Sequence, residues 1–249
     1  MGGKQSGNLS AILLSIMLSA CGSSGGISPT PTGVGTPSVP PLTVPTPTPP
    51  PSPAAPPPAA WSDQTMTAQN WEIGPIINGS NYSVGMPLNP TQTSDGWAFD
   101  FPLGPGSVRY LTFPYGSLAG KTRIVMHYRI EADPGVKILP VCCAASPAIG
   151  PTLYFQRQSD DWSTDGGRWW ATFDTKMPIE SGDYDLDIPL NGAWTSVLTM
   201  TAQSNPQQFA SAKDNAARIG FTLGGGDGYG HGVYATGRAR LVVTEFKVE

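Results

Sequence analysis

Residues 61–249 predict an all-β domain, an antiparallel β-sandwich with one short helix around 206–217. Apolar and polar side chains alternate along several short runs, the signature of strands with one buried face. Gly, Pro, Asn and Asp cluster between those runs, where turns are needed. Only one segment has helical grammar. In chain order, Arg123 to Glu131 places Ile124, Met126, Tyr128 and Ile130 on one face and His127, Arg129 and Glu131 on the other. Leu153 and Phe155 alternate with Tyr154, Gln156 and Gln158, and Trp169, Ala171 and Phe173 alternate with Arg168, Trp170 and Thr172. Tyr184, Leu186, Ile188 and Leu190 alternate with Asp185 and Asp187. Asn205-Pro206 sets a capping residue before a proline at the first helical position, and the helix is expected to run to Ala217. Ile219, Phe221 and Leu223 follow on one strand face, and 239–248 read as a closing strand. No internal repeat is visible.

The first sixty residues have a different composition. Lys4 is the only charged side chain before Asp63, and the run 9–18 is apolar but too short for a membrane span of about 20 residues. Leu18-Ser19-Ala20-Cys21 follows it. This resembles the lipobox of bacterial lipoproteins. The resemblance implies a signal peptide over 1–20, removal before Cys21, and acylation of the Cys21 thiol and amine, including palmitate. It also implies insertion of those chains in a lipid bilayer. A cleaved signal with a chance cysteine is the alternative. Gly22 after the cysteine points to the cell outer membrane. Between Ser28 and Ala60 lie 14 prolines and no charge. Fixed φ and missing N–H donors favour extended polyproline II there, so 21–60 read as a lipidated cysteine and a disordered Pro-rich linker. Such a stalk reaches on the order of 90 Å at ~3.1 Å per residue; a binding role for its PxxP segments is the alternative.

The domain carries all 18 acidic residues and 13 of the 14 basic ones, a net charge of −5. With no basic stripe, nucleic acid is not an expected partner. All seven tryptophans and all eight tyrosines fall in the domain, a composition shared by glycan binders and other β domains. Beyond Cys21 only the adjacent Cys142 and Cys143 remain, in an exported and oxidising setting. A vicinal disulfide, two thiols, or a bond to another chain are the alternatives. No cofactor is expected.

Pro206 to Ala217, the strand Ile219 to Gly225, the glycine-rich loop after it and the closing run Arg240 to Val248 together resemble the jelly-roll, galactose-binding-like carbohydrate-binding modules of bacterial polysaccharide enzymes. The whole domain is also similar to an uncharacterised group of secreted proteobacterial proteins. The first resemblance implies non-catalytic binding of polysaccharide in a groove across one sheet or at edge loops. There aromatic rings stack on sugar rings, while Arg, Asn, Gln and Asp hold hydroxyl groups.

Three candidate sites follow. One is an outward sheet face bearing His127, Arg129, Tyr154, Gln156, Gln158, Arg168 and Trp170, provided their strands are neighbours. The second is the loop 224–234, presenting Asp227, Tyr229 and His231; it lacks the GK[ST] of a phosphate loop. The third is the acidic turn 160–167 with Trp162, where structural calcium is a candidate, as it is near Asp183, Asp185 and Asp187. Solvated or packed connections are the plain alternatives for all three. No G-x-S-x-G or H-E-x-x-H occurs, and a polysaccharide lyase or hydrolase stands as the catalytic alternative. A structural envelope lipoprotein without a small ligand is the third.

Overall fold

The computed structural model describes residues 62–142, 147–172, 178–197, 200–225 and 229–249. Cys21, the Pro-rich linker, Cys143, Phe173 and Asp227 lie outside the described residues.

The domain is an all-β sandwich. A short helix α1 (Ser62–Thr65) precedes β1 (Glu72–Gly74), β2 (Ile76–Ile77), β3 (Ser80–Asn81), β4 (Thr91–Gln92), β5 (Trp97–Asp100) and β6 (Tyr110–Pro114). The long strand β7 (Arg123–Ala132) follows, then β8 (Ile138–Pro140), β9 (Ala148–Arg157), β10 (Arg168–Ala171), β11 (Gly182–Pro189) and β12 (Trp194–Ser196). Helix α2 (Pro206–Asp214) leads to β13 (Ala216–Gly225), β14 (Val233–Ala235) and β15 (Ala239–Val248). A six-stranded sheet runs β1-β6-β13-β9-β10-β12, and a five-stranded sheet runs β11-β7-β15-β5-β4. Every ladder within them is antiparallel.

The period of two explains both layers. Leu111, Phe113, Leu153, Phe155, Trp169, Ile219 and Phe221 of the six-stranded sheet and Trp97, Phe99, Ile124, Met126, Tyr128, Leu241, Val243 and Phe246 of the other belong to one buried cluster. An aromatic layer joins the sheets: Trp97 stacks on Phe221 with centroids 6.2 Å apart, and Trp71 lies 4.6 Å from Trp97 and 4.9 Å from Phe246. The indole N–H groups of Trp71 and Trp97 both donate to the Thr65 carbonyl, at 2.7 and 3.0 Å. Thr65 Oγ1 in turn donates to the Phe246 carbonyl at 2.5 Å. Helix α1 is thereby tied to the core.

The helix ends earlier than expected. It stops at Asp214, and Ala216 already pairs with Arg157, so 215–217 serve the sheet instead. Asn205 precedes it without a side-chain cap; Pro206 at the first turn is its start signal. Phe209 packs on Phe155, Trp169 and Trp194, at 5.7, 5.1 and 6.3 Å between centroids. Helix α2 thus covers the inner aromatics of the β9-β10-β12 end. Among the described residues no helix is long and apolar enough to cross a membrane.

Candidate functional site

Strand register decides which expected residues meet. On the six-stranded sheet, partners run Glu72–Thr112–Gly220–Tyr154–Trp170–Thr195 in one row. A second row runs Pro114–Arg218–Gln156–Arg168, and a third Gly74–Tyr110–Thr222–Thr152. These residues alternate with the core set and define the sheet's outer face. His127 and Arg129 belong to β7 in the other sheet, so the expected single face divides into two.

On the five-stranded sheet the outward residues are matched by charge. His127 sits between Asp185 (2.6 Å from Nδ1) and Glu245 (3.1 Å from Nε2). Arg129 bridges Asp95 and Glu131, and Arg123 bridges Asp187 and Glu249. This is an exposed ionic lattice with no ring available for stacking.

The other outer face is aromatic. Tyr110, Tyr154 and Trp170 form a second buried cluster, with Trp162, Val197 and Tyr229 packed against it. Of the two readings for Trp170, an exposed platform or a ring packed under a loop, the second holds: it is 1% exposed, because Tyr229 folds over it at 5.0 Å while Tyr154 flanks it at 6.2 Å. Arg168, Gln156 and Tyr154 are buried as well. Tyr154 reaches across Gly220 to hydrogen-bond Thr112, and Tyr110 donates to the Tyr229 carbonyl at 3.1 Å. Any Cβ at Gly220 would collide with the Leu111 carbonyl, so this crossing needs glycine. Burial pushes both phenols well above their ordinary value, so they remain protonated donors.

Like Tyr229, Trp162 is a half-exposed ring over this cluster. Its φ of +72° is a left-handed conformation that costs a side-chain-bearing residue about 1 kcal/mol or more. The turn sets the indole edge-on to Tyr110 at 5.4 Å and over the Arg168 guanidinium at 4.5 Å. Arg168 Nη2 donates to the Trp162 carbonyl at 3.0 Å, and Nε lies 3.0 Å from Asp160 Oδ2. Asp160 is fully buried and also accepts from Gln156 Nε2 at 2.9 Å. Arg168 and Asp160 therefore form a buried ion pair that holds the platform from beneath.

The expected calcium turn has a different use for its carboxylate. Asp161 accepts from the Ser163 hydroxyl at 2.7 Å and the Ser163 amide at 3.0 Å, and these bonds hold its carboxyl below the usual range. Asp185 and Asp187 are likewise engaged with His127 and Arg123. Among the described residues no group of three or more His, Cys, Asp or Glu side chains is placed to hold a metal. Two residues beyond Tyr229, His231 is exposed and its Nδ1 lies 3.2 Å from Cys142 Sγ.

Two adjoining hollows open on the aromatic face. One, of about 290 Å³, is lined by Ile76, Gln156, Arg157, Asp160, Trp162 and Arg218, among others. The other, of about 230 Å³, is bordered by Glu72, Leu88, Asn89, Thr112 and Arg218. Arg218 is common to both and lies 3.6 Å from Glu72. The β13–β9 register shifts between Ala216 and Arg218, a bulge just before the residue that both hollows share. Two hollows of about 440 Å³ lie elsewhere, one among the paired residues Asp100, Asp133, Arg238 and Arg240, the other by Ile138–Pro140 and 178–181.

Several buried polar atoms on the face lack a hydrogen-bond partner: Gln156 Oε1, Asp160 Oδ1, Thr152 Oγ1 and Trp170 Nε1. The indoles of Trp71, Trp97, Trp169 and Trp194, in contrast, all donate to backbone carbonyls. Sequence reasoning missed Arg157, Arg218 and Tyr110. Arg218 was within reach, since it alternates with the core residues Ile219 and Phe221; the other two needed the register. No protein-family model matches the chain, and no curated protein matches it in sequence.

Proposed function

We propose that this chain is a lipid-anchored, non-catalytic polysaccharide-binding protein of the bacterial cell envelope, with the glycan lying along the outer face of the six-stranded sheet. The observation that carries the reading is Trp162, an aromatic platform set in a strained turn and lining a hollow of about 290 Å³. Carbohydrate rings present flat C–H faces that stack on an indole, while their hydroxyls need charged or amide partners. Arg218, Arg157 and Gln156 stand beside the platform in the supporting geometry. Unpartnered Gln156 Oε1 is a buried acceptor that a sugar hydroxyl would satisfy. The acyl groups expected on Cys21 would anchor the chain, and the Pro-rich stalk would hold the domain away from the bilayer.

A binding role suits this face better than turnover. Its carboxylates, Glu72 and Asp160, each lie against a guanidinium group, and its tyrosines are held protonated. Affinity electrophoresis of the full chain, purified in mild detergent, through gels holding plant, algal or bacterial polysaccharides tests the reading. At least one glycan should retard the chain, and Trp162→Ala should abolish the retardation. Migration unaffected by every glycan would count against it.

A further inference from the structure

We propose that the saccharide taken at this face is acidic: a uronate-containing polysaccharide whose carboxylate is received by Arg157 and Arg218 while Trp162 stacks on its ring. The inference rests on the polysaccharide-binding reading above and names the class of ligand.

The charge balance points this way. The domain as a whole is acidic, with a net charge of −5 over 61–249. The hollow beside the indole differs: its lining carries Arg157 and Arg218 against one carboxylate, Asp160. Arg168 is already committed to Asp160 beneath the indole. Arg218 holds Glu72 only loosely, at 3.6 Å, and Arg157 has no ion-pair partner among the described residues. Two guanidinium groups on the rim of one hollow, one unmatched, form a receptor for a planar anion. Guanidinium donates in a rigid fork that fits a carboxylate through two parallel hydrogen bonds.

A buried acceptor refines the class. Gln156 is 4% exposed and lines the same hollow, with Oε1 lacking a donor. A ligand that brings hydroxyl donors together with its negative charge fits both features. A uronate does so, since vicinal hydroxyls accompany its carboxylate. A fully sulfated sugar offers acceptors only and would leave that oxygen unsatisfied.

The test measures binding of the full chain, in detergent, to polygalacturonate and to alginate, to each polymer after reduction of its carboxyl groups to alcohols, and to dextran sulfate. Acid polymer should bind at least about tenfold more tightly than its reduced counterpart and than dextran sulfate, and salt should weaken it. Arg157→Gln and Arg218→Gln should each remove most of that preference, with thermal stability kept because both side chains are at the surface. Equal binding of reduced and acid polymer, tighter binding of dextran sulfate, or indifference to both arginine substitutions overturns the inference while the polysaccharide reading stands. Binding to none of the acid, reduced or neutral polymers overturns both.

Discussion

Two tryptophans on one sheet face have opposite duties. Trp162 is half-exposed on a left-handed turn, whereas Trp170 is sealed beneath Tyr229 and beside Tyr154. Trp170→Ala should therefore destabilise the fold by about 3–5 kcal/mol, the range for deleting a buried aromatic, and register as a lower melting temperature. Trp162→Ala gives up a cation–π contact and an edge contact worth only about 1–2 kcal/mol together, so its main effect should be on binding. Beneath the platform, Asp160→Asn strands the buried Arg168 guanidinium and should cost about 3–5 kcal/mol in urea unfolding, as breaking a buried pair does. The exposed pairs Arg123–Asp187 and Arg238–Asp133, screened by solvent, should contribute little to stability, and their disruption should leave the urea midpoint nearly unchanged. The buried phenols predict an alkaline limit. Burial raises Tyr110 and Tyr154 above 10.0, so the folded state keeps protons that the unfolded chain releases. Their stabilisation is complete below pH 10 and is lost as pH climbs through the raised folded values. Urea midpoints measured across pH 8 to 11, with pH changed alone, should fall only at the upper end, and less steeply in Tyr110→Phe.

At the level of elements, the turn between β9 and β10 is where the account is most exposed to a single change. Asp160 folds back over Gly167 to reach Arg168, and a Cβ on Gly167 would press into that carboxylate. Gly167→Ala should lower stability by about 1–3 kcal/mol and weaken glycan binding together, seen in paired melting and binding measurements. The long strands were legible beforehand, since β7, β11 and β13 each alternate plainly between apolar and polar residues and β15 reads as a closing strand. The short strands β1 to β5 escaped notice because runs of two to four residues are too brief to display a period. Sheet membership escaped too: nothing local in Arg123–Glu131 says that His127 lies across the sandwich from Gln156. Nor does alternation reveal that a face is covered, which depends on loops returning from 162 and 229. Trp170 sits at the outward phase it was assigned, and its burial is a tertiary event.

For the molecule as a whole, the chain divides its work by composition. An apolar leader ending in Leu18-Ser19-Ala20-Cys21 would provide attachment, an uncharged Pro-rich segment reach, and the sandwich recognition. Within the domain, Thr65, bonded to Trp71, Trp97 and Phe246, ties helix α1 to the core. Replacing Cys21 by serine should move the protein from the membrane fraction to the soluble fraction after cell disruption, while leaving the melting temperature of the domain unchanged. The central claim, that the outer face of the six-stranded sheet holds a polysaccharide on Trp162, is reached most directly by tryptophan fluorescence. The full chain is titrated with the polysaccharide that retards it in a gel, beside Trp162→Ala. Saturable change in the native chain, lost in the variant while the variant still unfolds in one cooperative transition only a few degrees lower, is the predicted result. Identical titrations in the two proteins would contradict it.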